Sequence, residues 1–408
     1  MFLIIWGFYL LLAILWSTVI LWIVGWWWTR RELKELTPLA INDSEFEQSQ
    51  SKVSVLLPAR NEAERILPRC VQSLLMQSQQ NLEIIAVNDR SIDKTGEILN
   101  RLASENSQMQ FIDGEELPIG WLGKPFALQQ AFTRASGEWI LSVDADLIFA
   151  PNAIKTVVYY AEQNKFDAVC LIPFDVCESF WETVFMPAFG WFRMLKMPPT
   201  RVNDSRCQEA LGVGNFFLMR RSALVKIGGF ESVKADVAED LRLAELLKET
   251  GARFRLDYAP KLIQTRMYAG IGEIWTGFTK NLFAASNFSV LQTVAGAGSI
   301  VVFGVMPDVL AIVFGAGWLI VKENSLLWLL LPSILIYICQ ATVFATLNRA
   351  WGKPLGYALF APLGLGLFAA ILINSAICVV SGRGVVWKGR AIYKSGETKP
   401  LGSILENK

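Results

Sequence analysis

VSVLLPARNE (residues 53–62) and LEIIAVNDRSIDKT (residues 82–95) decide the fold. Each opens with five to seven apolar or β-branched residues, too few for a buried helix, and closes in a polar loop carrying Arg60, Asn61 and Glu62 or Asp89, Arg90 and Asp93. Amphipathic stretches follow both, at 68–77 and 95–106. The pattern repeats with strands at 109–112 and 139–143 and a helix at 125–135 between them. Short apolar strands alternating with helices predict an α/β layer, doubly wound on a mostly parallel sheet. In such sheets ligands bind beyond the carboxyl ends of the strands, where this chain places Asp89, Asp93 and the run Asp144-Ala-Asp146.

Outward from this middle the chain turns apolar. Its 408 residues are 53% hydrophobic and 18% charged, too little charge for an ordinary soluble protein. Residues 2–28 carry no charge and are long enough to cross a bilayer; they end in Trp26, Trp27 and Trp28 and not in the small residues of a cleavage site, which predicts an uncleaved N-terminal anchor at 1–29. Arg30, Arg31 and Lys34 follow, and the positive-inside rule sends the next segment to the cytoplasm. The expected organisation is an anchor, a polar linker at 30–51, a catalytic domain at 52–289, a membrane region of three or four spans at 290–382, and a basic cytoplasmic tail at 383–408. Pro307 and Asp308 in the middle of the block 290–321 suggest two short spans or a re-entrant hairpin there, which returns the tail to the cytoplasm.

Composition removes several chemistries. A net charge of +1 without long basic runs offers no field for nucleic acid. There is no histidine, so His-liganded zinc is excluded and a general base must be a carboxylate, Lys, Tyr or Cys. The six cysteines have no Cys-x-x-Cys spacing and read as small buried hydrophobes of a reducing compartment.

VSVLLPARNE, VNDRSIDKT (87–95), GWLGK (120–124), VDAD (143–146) and Glu239-Asp240 stand in the order and spacing of family 2 glycosyltransferases of the GT-A fold. With one N-terminal span, several C-terminal spans and the ending Gly384-Val-Val-Trp-Lys-Gly-Arg390, the chain resembles membrane enzymes that glycosylate lipids: ceramide glucosyltransferases and the hopanoid- and carotenoid-associated glycosyltransferases. The resemblance implies an integral protein of a bacterial plasma membrane that transfers one sugar, with inversion, from a nucleotide-sugar donor, UDP-sugar ahead of GDP-sugar, to a hydroxyl of a membrane lipid, carotenoid or hopanoid-like. It implies that Pro58, Arg60, Glu62, Asp89, Asp93, Lys124, Asp144 and Glu239 bind the nucleotide sugar. Asp146, with Asp144, would hold a divalent cation, Mg²⁺ or Mn²⁺, and Asp240 would be the catalytic base. The Gln-x-x-Arg-Trp type motif of processive members is replaced by Trp275-Thr-Gly-Phe-Thr-Lys280, which favours a single addition.

The aromatic segment at 178–197, with Trp191, predicts a helix in the headgroup plane, and Trp191, Trp275 and Lys280 are expected on the acceptor side. Arg193, Lys196, Arg201 and Arg206 support a second reading, a polyprenyl-phosphate glycosyltransferase, which needs cations at the membrane face. Replacement of Asp89, Asp144, Asp146 or Asp240 would have pointed to a degenerate, non-enzymatic domain; all four are present.

Overall fold

The computed structural model describes residues 2–36, 38–39, 51–286, 288–381, 385–387, 390–392 and 398–400. Most of the expected tail at 383–408 and residues 40–50 of the expected linker lie outside them. The chain opens with helix α1 (Phe2–Glu35) and then alternates β1 (Val53–Ala59), α2 (Leu67–Leu75), β2 (Leu82–Asn88), α3 (Thr95–Glu105), β3 (Met109–Asp113), α4 (Gly123–Arg134) and β4 (Trp139–Val143). Next come β5 (Leu147–Phe149), α5 (Ala153–Gln163), β6 (Ala168–Ile172), β7 (Phe174–Asp175), α6 (Phe180–Lys196), α7 (Pro199–Val202), β8 (Phe216–Arg220), α8 (Arg221–Lys226), α9 (Glu239–Glu249), β9 (Phe254–Tyr258) and β10 (Ile263–Thr265). Five helices follow: α10 (Gly270–Ala285), α11 (Val290–Ile300), α12 (Met306–Val321), α13 (Ser325–Ala350) and α14 (Ala361–Val380).

Seven strands form the main sheet in the order β3-β2-β1-β4-β8-β6-β9, all parallel except β8, as the alternation of strands and helices predicts. The two-residue period of β1 divides its side chains between two cores: Val53, Val55 and Leu57 join one, Leu56 the other. Ser54 is buried because its hydroxyl is used twice, donating to Glu83 Oε1 (2.5 Å) and accepting from the Gly137 N–H (2.7 Å). A small sheet, β5-β10-β7, lies beside the carboxyl end of β4.

The anchor helix does not stop at the expected membrane edge. Residues 30–35, assigned to the linker from sequence, continue α1 into the catalytic domain. There Glu32 accepts from the Thr200 N–H and hydroxyl, both at 2.9 Å, and Glu35 pairs with Arg255 at 2.8 Å. Polar residues looked like linker because their partners lie some 170 or more residues away in sequence.

Four helical runs are long and apolar enough to cross a membrane: Ile5–Glu35, Val290–Val321, Ser325–Ala350 and Leu355–Val380. The expected break at Pro307 is absent: Val290–Val321 is one helical run with a π turn at Val301–Val305. Pro307 has no N–H to give the preceding turn, and tertiary donors serve the carbonyls there instead. Trp22 Nε1 donates to Phe303 O (2.9 Å) and Gln340 Nε2 to Gly304 O (3.0 Å).

Helix α6, the segment expected in the headgroup plane, joins the two halves, and its central aromatics pack on protein. Phe185 and Trp191 are buried in protein. Trp191 stacks on Trp22 at 5.2 Å and donates to Thr29 Oγ1 (2.9 Å), and Phe185 meets Phe278 at 4.8 Å. The aromatics suit either environment, and the spanning helices reach them first. The close approach of α14 requires Gly364, where a Cβ would sit 2.5 Å from the Val184 carbonyl oxygen. Gly364→Leu is therefore expected to destabilise the joint by roughly 1–3 kcal/mol, read as a lower unfolding temperature of the detergent-solubilised chain; an unchanged temperature refutes this packing.

Candidate active site

The polar loops at the carboxyl ends of β1, β2 and β4 and the start of α9 face one cavity of about 1080 Å³. At its centre Lys124, from the first turn of α4, places Nζ 2.7 Å from Asp144 Oδ1 and 2.8 Å from Glu239 Oε1. A lysine at a helix N-terminus opposes the helix dipole, so its place is explained by the carboxylates around it. Burial works against its charge, yet Asp144, Glu239 and Asp240 hold its pKa well above the ordinary value. Asp240 shows the counter-effect: burial first, then the neighbouring Glu239, push its carboxyl up to about 6 despite Lys124.

Backbone geometry brings these groups together. The Gly214 N–H donates to Asp240 Oδ2 (2.6 Å), and Asn215 Nδ2 approaches Asp144 Oδ2 at 3.4 Å. Gly212 packs so tightly on the Asp240 carbonyl that a Cβ there would collide with it, and one on Gly214 would meet Lys124 Nζ at 2.7 Å and Asp240 Oδ2 at 3.1 Å. Neither glycine nor Asn215 was among the expected site residues. The signal in the sequence is the spacing Gly212-Val-Gly214-Asn215 just ahead of β8.

Of the expected residues, Pro58, Arg60, Glu62, Asp89, Lys124, Asp144, Asp146, Glu239 and Asp240 all line the cavity. Arg60 shapes the neighbouring loop, donating to the carbonyls of Asp89 (2.6 Å) and Arg90 (2.9 Å), and Arg90 pairs with Asp89. Asp93 stays outside: its oxygens accept from the Ala63 and Thr95 N–H groups, both at 3.0 Å, holding the turn into α3. On the expected acceptor side, Trp191 and Lys280 line the cavity and Trp275 does not. Of the four cations noted near the membrane face, Arg193 and Lys196 line it; Arg201 and Arg206 pair with Glu209 and Asp204. Tyr268, which the motifs did not mark, lines it as well.

The model of the family described as glycosyl transferase family 2 matches residues 54–228. The protein is a glycosyltransferase with a family 2 domain. The glycosyltransferase is 25% identical over 361 residues to the 4,4'-diaponeurosporenoate glycosyltransferase of Staphylococcus aureus (strain USA300), covering 85% of this chain and 89% of that one. Its namesake from strain bovine RF122 is 24% identical over 364 residues, 86% and 90% of the two chains. The solved structure of mannosyltransferase PcManGT from Pyrobaculum calidifontis, in complex with GDP-Man and Mn²⁺, aligns at a TM-score of 0.51 and 17% identity over 91% of this chain and 99% of that one. The fold of the glycosyltransferase is thus GT-A, with membrane helices at both ends.

Because Gly214 leaves no room for a side chain beside Lys124, Gly214→Ala is expected to displace the ammonium. Donor affinity should fall roughly tenfold, about 1.4 kcal/mol, by calorimetry with UDP- and GDP-sugars, with the unfolding temperature little changed; unaltered binding would show that the contact does not matter.

Proposed function

We propose that this glycosyltransferase moves one sugar, with inversion, from a nucleotide-sugar donor, a UDP-sugar in the first instance, to a hydroxyl of an apolar membrane acceptor of carotenoid or hopanoid type. The observation that carries the reading is the position of Asp240, a carboxyl with its pKa near 6 on the same cavity as Asp89, Asp144, Asp146 and Lys124. Asp89 and Arg60 mark the end suited to base and ribose. Asp240, in its ionised form, takes the proton of the acceptor hydroxyl as that oxygen bonds to the anomeric carbon. The bond from that carbon to the diphosphate oxygen breaks, and the diphosphate departs with the electron pair. Lys124 offers the leaving group a positive charge from within the chain. Names of the relatives support an apolar acceptor: those proteins are named for diaponeurosporenoate.

Among the described residues no group of three or more His, Cys, Asp or Glu is arranged to hold a metal by itself. The donor set fits a hard cation all the same, because Asp144 and Asp146 supply carboxylate oxygens to one cavity and the bound diphosphate and water would fill the remaining positions. Mg²⁺ or Mn²⁺ held there would add positive charge opposite the departing diphosphate. The basic residues that follow the first apolar run support a cytoplasmic catalytic domain by the charge rule, on the side where nucleotide sugars are made available.

Membranes carrying the chain, given radiolabelled UDP-glucose, UDP-galactose and GDP-mannose, are expected to place label in solvent-extractable lipid, and Asp146→Ala to reduce it by about a hundredfold or more. Label confined to water-soluble glycan overturns the acceptor class. Since Asp240 acts ionised, kcat/KM should rise as pH climbs through about 6 and level above it. Lys124→Met, which removes a cation favouring the ionised form, should move that limb to higher pH; an unmoved limb separates Lys124 from the base.

A further inference from the structure

The cavity does not end at the carboxylates. Beyond Asp240 and Arg193 its wall turns apolar and continues between α1 and α11, where it is bounded by Leu21, Gly25, Leu195, Gly296, Ser299 and Phe303. These two helices have other principal neighbours: α1 packs along α13 and α11 along α14. A single hydrogen bond, Trp22 Nε1 to Phe303 O, ties α1 to the π turn that follows α11.

Three residues of this wall keep large exposed surfaces, Leu21 53%, Leu195 42% and Phe303 36%, and α1 and α11 expose further large apolar residues near them, Ile20, Val24, Leu291 and Val294. Small residues keep the slot open. A Cβ on Gly25 would meet its nearest neighbour, Trp191 Cζ2, only at 4.0 Å, and one on Gly296 would meet Leu372 Cδ2 at 3.9 Å. The Ser299 hydroxyl is already used, donating to Ala295 O at 2.8 Å, and so asks nothing polar of an occupant. Open in water, this mouth would leave apolar surface hydrated at about 25 cal/mol per Å²; inside a bilayer it faces hydrocarbon.

We infer that the slot between α1 and α11 is a lateral entrance through which a single slender apolar chain, bearing its hydroxyl at the leading end, passes from the bilayer to Asp240. This rests on the proposed transfer to a membrane acceptor and adds the route and the shape of the substrate. The walls are two helices crossed by one tryptophan, a passage that suits an extended isoprenoid or polyene chain. The acceptor therefore reacts without leaving the hydrocarbon phase: its tail remains in the slot while its hydroxyl meets the base.

The test uses the full chain in phosphatidylcholine vesicles containing a long all-trans polyene alcohol, beside a water-soluble four-carbon alcohol that needs no bilayer route. Gly296→Phe fills the slot from one wall and Gly25→Leu from the other. Each is expected to lower transfer to the polyene alcohol by about tenfold or more while leaving donor binding and transfer to the short alcohol unchanged. A diazirine derivative of the polyene alcohol should photolabel residues 21–25 and 296–303 of the parent and not of Gly296→Phe. Undiminished transfer and labelling in both variants overturn the entrance. If the parent glycosylates neither alcohol, the proposed function fails by itself; labelling then decides the entrance, supporting it if the slot residues are labelled in the parent and lost in the variant, and overturning it if they are not.

Discussion

The site depends on one ammonium group among carboxylates. Lys124 is the positive charge that lets Asp144, Glu239 and Asp240, from the end of β4 and the start of α9, share one cavity wall. Without it three like charges would repel, and the cheapest relief would be protonation or movement of a loop. The arrangement also explains the two glycines before β8, since the backbone at Gly212 and Gly214 fills space that any side chain would take from Asp240 and Lys124.

The same economy of space governs the joint with the membrane helices. Helix α6 lies between the sheet and the bundle, and much of its surface is taken: Trp191 by Trp22 and Thr29, Phe185 by Phe278, the Val184 backbone by Gly364. Helix α1 reaches past the bundle to dock Glu32 on Thr200 and Glu35 on Arg255. Rigid coupling of this kind holds Asp240 at a set height over the apolar half of the cavity. The proposed transfer from a water-soluble donor to a bilayer-dissolved acceptor would need that alignment, because neither substrate can leave its own phase cheaply.

The parallel sheet, its helices and four apolar segments were legible in the sequence because they rest on local regularities: the period of two in β1, the amphipathic period of the helices and the length of uncharged runs. That nine of the residues expected for donor, metal and base would meet at one cavity was legible as well, since strand ends in such a sheet converge whatever the details of packing. Asp93 belonged to the same motif but turned its oxygens to the Ala63 and Thr95 backbone, a choice set by a turn geometry that no spacing reveals.

Tertiary structure alone decided the rest. Residues 30–35 are polar in any reading, and only Thr200 and Arg255 make them a docked helix end and not a linker. Pro307 predicts a break, and only Trp22 and Gln340, supplying hydrogen bonds to the carbonyls of the preceding π turn, let the helix run on. The aromatics of α6 are equally at home in lipid or in protein, so their burial follows from which surface arrives first. Sequence by itself determined where strands, helices and reactive groups would stand, through forces that act over a few residues; partners hundreds of residues apart, meeting by shape and charge, determined which of those groups face the cavity.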